Sequence, residues 1–183
     1  FNPTIVNIQN IVEKYSETNP NGKLAYISIE NTKTGDRINV KAKVEDTKIL
    51  GIYKVTYEVI GNPKVSIIIL NKDHIDDLKR CMDSIDQKST YKNYEYIIVE
   101  NNSTDDATFQ YYKKLEAENP KAHVVYWDKE FNYSAINNYG AAFAKGEYLL
   151  LLNNDTEIIN EDCLEELLGY CMRSDVGAVG ARM

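Results

Sequence analysis

From residue 63 onward, short unbroken apolar runs alternate with segments whose apolar residues recur every three or four positions. The runs are KVSIIIL (64–70), YEYIIVE (94–100), AHVVYW (122–127) and EYLLLL (147–152). Continuous runs of that length suit strands buried on both faces of a parallel sheet, with Pro63 marking the start of the first. Between the first two runs, Ile75, Leu78, Met82 and Ile85 mark one face of a helix that Asp73 is placed to cap. STDD (103–106) reads as a capping-box variant ahead of Phe109, Tyr112 and Leu115. SAINNYGAAFAKG (134–146) carries Ile136, Tyr139 and Phe143 on one face, with Gly146 where a C-cap belongs. Asn160 is placed to cap a last helix through Leu164, Leu167, Leu168 and Cys171, before VGAVGARM (176–183) opens a fifth strand. The rhythm is β-α-β-α-β-α-β-α-β, which predicts an α/β fold with a mostly parallel sheet flanked by helices.

The first 62 residues have other periods. Ile5, Ile8, Val12 and Tyr15 share a helical face, while RINVKAKV (37–44) and YKVTYEV (53–59) alternate with period two after a turn at NTKTGD (31–36). A helix followed by about three antiparallel strands is expected, a small α+β segment of accessory character. GNPK (61–64) is the expected boundary, dividing the chain into 1–62 and 63–183.

Composition narrows the chemistry. The 183 residues are 43% apolar and 27% charged, with formal net charge −7 and pI near 4.9. No Lys/Arg-rich run exists to displace phosphate counterions, so a nucleic-acid partner is not expected. Cys81, Cys163 and Cys171 are odd in number and fall in expected helices, which fits buried thiols in a reducing cytoplasm. No apolar run approaches the roughly 18 residues of a membrane span. The chain opens on Phe1 and stops inside an expected strand, so a fragment of a longer protein is expected.

In parallel sheets, ligands sit beyond the carboxyl ends of the strands. The first strand delivers Asn71, Lys72 and Asp73 there; the second delivers Glu100, Asn101, Asn102 and Ser103; the fourth delivers Asn153, Asn154, Asp155 and Thr156. Such residues also suit plain turns, but three strands bringing carboxylates to one edge point to a site. LNKDHID after the first strand contains no glycine, which argues against a dinucleotide fold or a phosphate-binding P-loop. A carboxylate flanked by amide carbonyls suits Mg2+ or Mn2+, ions that take their remaining ligands from water and substrate phosphates. On this reading the leucines of 149–152 bury the fourth strand, whose end holds Asp155 against a metal carrying a diphosphate.

VSIIILNKDHIDDLKRCMDSI, YEYIIVENNSTDD and FNYSAINNYGAAFAKGEYLLLLNNDTEI, in that order, resemble the nucleotide-sugar-binding half of a family 2 glycosyltransferase of the Rossmann-like GT-A fold. They are most similar to the rhamnosyltransferase-like members of bacterial surface-polysaccharide synthesis. The resemblance implies that Asn71 and Asp73 line the base pocket, that Glu100 binds the nucleoside with Asn102 beside it, and that Asn137 and Asn138 lie near the ribose and diphosphate. NND (153–155) would stand for the family's DxD motif, with Asp155 the metal ligand and Asn154 its nucleotide-side neighbour. Glu100 for the commoner Asp, amides at 153 and 154, and Asn137 where many relatives carry Arg all depart from the commonest pattern, and bear on the donor more than on the reaction.

The implied partners are a nucleoside-diphosphate-sugar donor and a saccharide or lipid-linked acceptor. The implied place is the cytoplasm, with room for peripheral association of a longer protein with the inner membrane face. The implied reaction is a single inverting displacement assisted by Mn2+ or Mg2+, with the general base beyond Met183. Asp128, Glu130, His74 and His123 read as ordinary solvated residues. A sugar-nucleotide nucleotidyltransferase and a non-enzymatic phosphoacceptor module are the alternative readings; the first lacks its glycine-rich loop, and AHVVYWDKEFN fits the second poorly.

Overall fold

The computed structural model describes residues 25–30, 37–49 and 52–181, and the helix expected at 3–15 lies outside them. By contacts the chain divides into two units, one of Gly61–Leu164 and one that joins the residues up to Ile60 with those from Glu165 onward.

In the second of these units, β1 (Ala25–Glu30), β2 (Arg37–Ile49) and β3 (Ile52–Tyr57) form an antiparallel sheet in the order β1-β2-β3, with an irregularity between Asp46 and Ile49. The period-two alternation of 37–44 and 53–59 is the signature these strands carry. Most of helix α4 (Cys163–Cys171) and the segment after it belong to the same unit.

The Gly61–Leu164 unit has β4 (Val65–Asn71), α1 (Ile75–Lys88), β5 (Tyr94–Glu100), α2 (Asp106–Glu118), β6 (Ala122–Tyr126), α3 (Tyr133–Ala141) and β7 (Tyr148–Asn153). All four strands are parallel, in the order β6-β5-β4-β7. Ile68, Ile97, Val99 and Val125 form the core beneath Ile136 of α3, with Trp127 and Tyr139 at its margin. Strand alternation sends Tyr96 to the other face, where its hydroxyl meets Asp86 Oδ1 of α1 at 2.8 Å. The chain walks outward from β4 to β5 to β6 and then returns to the far side of β4 to lay down β7. The crevice between the ends of β4 and β7 is therefore a topological switch point.

Five local expectations are corrected. Asp73 does not cap α1: His74 occupies the N-cap, without a side-chain cap bond, and the Asp73 carboxylate points to another loop. Asp105, not Ser103, caps α2 by accepting from the Ala107 amide. Helix α3 ends at Ala141, so Gly146 is not its C-cap; Gly146 sits where β7 passes against β4, and its N–H donates to Ser66 Oγ at 2.8 Å. β7 is only half-buried: Leu149 and Leu151 are 51% and 47% exposed, because the α3 face of this edge strand has no helix over it among the described residues. Finally, 176–181 form no strand; a ladder needs a neighbour, and this glycine-containing segment pairs with no described strand.

Candidate functional site: the carboxyl-end rim of the parallel sheet

Parallel register sets the rim. Asn71 stands opposite Glu100, and Leu70 opposite Asn153, so β4, β5 and β7 end level with one another. Asn71 and Glu100, each 2% exposed, are shut off from water, and an unpaired amide or carboxylate there would be costly. They are paired with each other through Tyr112, a fully buried residue of α2. Asn71 Nδ2 donates to the Tyr112 hydroxyl at 2.8 Å, and that hydroxyl donates to Glu100 Oε2 at 2.8 Å. Glu100 also accepts from the Ser103 amide at Oε1 and from Ser103 Oγ at Oε2, the latter at 2.6 Å. On the other side, Asn154 Nδ2 donates to Asn71 Oδ1 at 2.8 Å. Burial pushes the Tyr112 phenol far above its usual range, helped by the Glu100 charge, so it stays protonated.

The loops are tied in as firmly. Asp73 and Asn102 both hold left-handed backbone, at φ 57° and 56°. The Asp73 carboxylate accepts from the amides of Asp105 (2.9 Å) and Thr104 (2.7 Å), and its own N–H donates to Ser103 Oγ at 2.9 Å. The Asp105 amide foremost, with that of Thr104, holds the Asp73 carboxyl below the usual carboxylate range. Asn102 Nδ2 donates to the Lys129 carbonyl at 2.9 Å, joining this loop to the one after β6. That second loop is closed by Trp127 Nε1 donating to the Glu130 carbonyl at 3.0 Å. The Asn101 amide nitrogen Nδ2 is buried at the same rim without a protein acceptor.

Asp155 is exposed, in a turn closed by Thr156 N–H donating to the Asn153 carbonyl at 3.2 Å. Its negative charge reaches α1, where burial and then Asp155 push the Cys81 thiol up to about 12; that thiol sits 3.7 Å from the Asn153 carbonyl. Of the residues expected at the site, Asn71, Asp73, Glu100 and Asn154 form one bonded network through Tyr112 and Ser103. Asn102 braces its loop. Asn137 and Asn138 stand apart from the network: Asn137 is buried with Nδ2 turned back to the Tyr133 carbonyl at 2.8 Å, and Asn138 is exposed on α3. Asp128 and Glu130 are exposed, as read from the sequence, and His74 and His123 lie 3.4 and 3.3 Å from Asp77 and Glu116.

Tyr112 is the residue that sequence reasoning missed. Its spacing marks it only as part of the apolar face of its helix, although a tyrosine at a core position needs a partner for its hydroxyl.

Among the described residues no three His, Cys, Asp or Glu side chains cluster to hold a metal ion. One exposed carboxylate beside amide oxygens is an incomplete hard-oxygen set, which fits an ion whose other ligands come from a substrate's phosphates and water. Residues that would contact such an ion are Asp155 and, through its amide oxygen, Asn154.

An α/β unit with polar strand ends at its switch point belongs to the open parallel-sheet folds that receive ligands at that edge. The chain belongs to glycosyl transferase family 2, whose family model matches residues 66–183. It is 43% identical over 131 residues to the O-antigen biosynthesis protein RfbC of Myxococcus xanthus, covering 72% of this chain and 10% of that protein. It thus spans about a tenth of that relative's length. Among solved structures it resembles the mannosyltransferase PcManGT of Pyrobaculum calidifontis in complex with GDP-Man and Mn2+ (TM-score 0.58, 19% identity, 64% of this chain and 35% of that one). It also resembles TarS residues 1–349 from S. aureus (TM-score 0.50, 21% identity, 59% of this chain and 32% of that one). These likenesses place the fold with the GT-A glycosyltransferases. No helix among the described residues is long and apolar enough to cross a membrane.

Proposed function

We propose that the rim binds a nucleoside-diphosphate sugar together with Mn2+ or Mg2+, and that the protein containing this chain transfers the sugar to a saccharide or lipid-linked acceptor in surface-polysaccharide synthesis. The observation that carries the reading is the bond of Asn154 to Asn71 at the switch point, with Asp155 exposed in the turn next to it, where a parallel sheet receives its ligand. Family membership supports the reaction type, the RfbC likeness supports the polysaccharide setting, and the GDP-Man and Mn2+ of the PcManGT structure support the donor and ion.

In this reading Asp155 and the Asn154 oxygen meet the metal, which when bound neutralises charge on the departing diphosphate. Asp73 and Asn71 border the base end, and Glu100, already engaged by three protein donors, shapes that end through Ser103 and Tyr112. Asn101 Nδ2 is a donor left for a ligand oxygen. Asn137 and Asn138 serve the ribose and diphosphate side. Displacement at the anomeric carbon inverts configuration, with a general base taking the acceptor's proton.

The test is calorimetry of nucleoside diphosphates against the protein in Mn2+ and in EDTA. Binding is expected to depend on Mn2+, and Asp155→Ala is expected to abolish that dependence while leaving the fold intact, since the side chain is exposed. Metal dependence that survives in the variant would remove Asp155 from the site.

A further inference from the structure

We infer that Tyr112 is a positioning residue, which relays the acceptor character of Glu100 across the rim so that Asn154 presents its amide oxygen, and not its nitrogen, beside Asp155. The direction of the relay follows from the chemistry of each member. Glu100 accepts the Ser103 N–H at Oε1 and the Ser103 O–H at Oε2, and it meets the Tyr112 hydroxyl as an acceptor too, so that hydroxyl donates to it. A hydroxyl carries one proton, so Tyr112 can only accept from Asn71, which turns Asn71 Nδ2 toward it. Asn71 then faces Asn154 with Oδ1, an acceptor only, and Asn154 must answer with Nδ2. The remaining branch of the Asn154 amide is its oxygen. Two 2.8 Å hydrogen bonds among Asn71, Tyr112 and Glu100, each at most 2% exposed, and a third of 2.8 Å from half-buried Asn154 to Asn71, therefore fix an amide at the open end.

The consequence is specific. A hard cation or a hydroxyl can be met by an amide oxygen but is repelled, or left without an acceptor, by an amide NH2. Glu100 thus influences the metal side of the rim from β5 without touching it. Glu100→Gln supplies an NH2 that can donate to Tyr112, which lets every bond in the sequence reverse and turns the Asn154 nitrogen outward. Tyr112→Phe keeps the ring and cuts the relay, leaving Asn71 free to flip.

This inference rests on the reading of the rim as a metal-dependent nucleotide site, and its tests separate the two. In calorimetry with UDP, GDP and dTDP, Tyr112→Phe and Glu100→Gln should each weaken binding in Mn2+ by about tenfold, the scale of one hydrogen bond to a charged partner. The loss in EDTA, where only the contacts at the base end are disturbed, should be smaller than the loss in Mn2+. The double variant should be no worse than either single one, because both cut the same relay. Asn154→Asp presents oxygen on both branches and should restore Mn2+-dependent binding in the Tyr112→Phe background, a rescue that loss of packing would not allow. Equal losses in Mn2+ and EDTA, or no rescue, would overturn the relay. The ligand-free protein gives a second measurement: Glu100→Gln should move the side-chain amide NMR signals of Asn71 and Asn154 together. If those signals stay in place the relay is wrong whatever the nucleotide result, and if they move while the unmodified protein binds no nucleoside diphosphate, the function fails and the relay stands.

Discussion

Asp73 shows how a single residue can be read correctly as belonging to the rim and wrongly in its task. Its position after β4 and before a helix is that of an N-cap, yet left-handed backbone at φ 57° turns the carboxylate away from α1 and onto the amides of Thr104 and Asp105. Asp tolerates that conformation better than residues lacking a short polar side chain. Because the folded carboxyl titrates below its ordinary value of 3.8, the anchor is fully present above that value and is lost as pH falls through the lower, folded one. Amide-exchange protection of Thr104 and Asp105 should therefore persist from neutral pH down past 3.8 and fall only in stronger acid. In Asp73→Ala it should be low at every pH. Protection lost at or above 3.8 would mean that the carboxylate does not hold the loop. What made the true role illegible is that Asp73 and Thr104 are 31 positions apart, and local spacing carries no information about such pairs. The buried Tyr112 hydroxyl was legible in principle, from its residue type at a core position, and only its partners were not.

At the scale of elements, the buried strands were the most legible part of the chain. β4 and β5 follow unbroken apolar runs because neighbours cover both their faces, and the same pattern in β7 misled because one face of that strand is left uncovered among the described residues. Glycine was legible as special but not for its reason. A Cβ on Gly146 would lie 2.6 Å from the Lys64 carbonyl oxygen and 2.7 Å from the Ser66 amide nitrogen, so only glycine lets the start of β7 pass β4. A Cβ on Gly140 would meet the methyl groups of Val99 and Ile68 at 2.7 and 2.8 Å, where side chains can shift. Gly146→Ala should thus destabilise by about 1–3 kcal/mol or more, and Gly140→Ala by less, since overpacking is relieved by rotamers more readily than by backbone. Urea unfolding of the two variants measures the order, and a milder Gly146→Ala would show that the β4–β7 approach is loose.

For the whole molecule, periodicity disclosed the α/β class, and the polar strand ends disclosed the rim. The contacts that close distant parts of the chain were hidden. The segment from 176, which the sequence reads as a strand, follows a cluster in which Arg173 and Tyr170 meet a residue more than a hundred positions away. Arg173, 8% exposed, donates from Nε and Nη2 to Asp175 at 3.0 and 2.7 Å and from Nη1 to the Tyr57 hydroxyl at 3.1 Å. Tyr57 in turn packs edge-on against Tyr170. A guanidinium so far removed from water is tolerable only while its carboxylate is ionised. Arg173 holds the Asp175 carboxyl below its usual 3.8, so the pair's stabilisation is complete above that pH and disappears as pH falls through the lower folded value. Asp175→Asn keeps the shape and removes the charge. With both side chains mostly buried, at 7% and 17% exposure, the loss should be about 1–3 kcal/mol at pH 7. It should shrink in strong acid, where the native carboxyl also becomes neutral. Urea titrations of the two proteins by circular dichroism, at pH 7 and at decreasing pH below 3.8, test this. A gap that stays constant with pH would assign the variant's effect to packing and not to the ion pair.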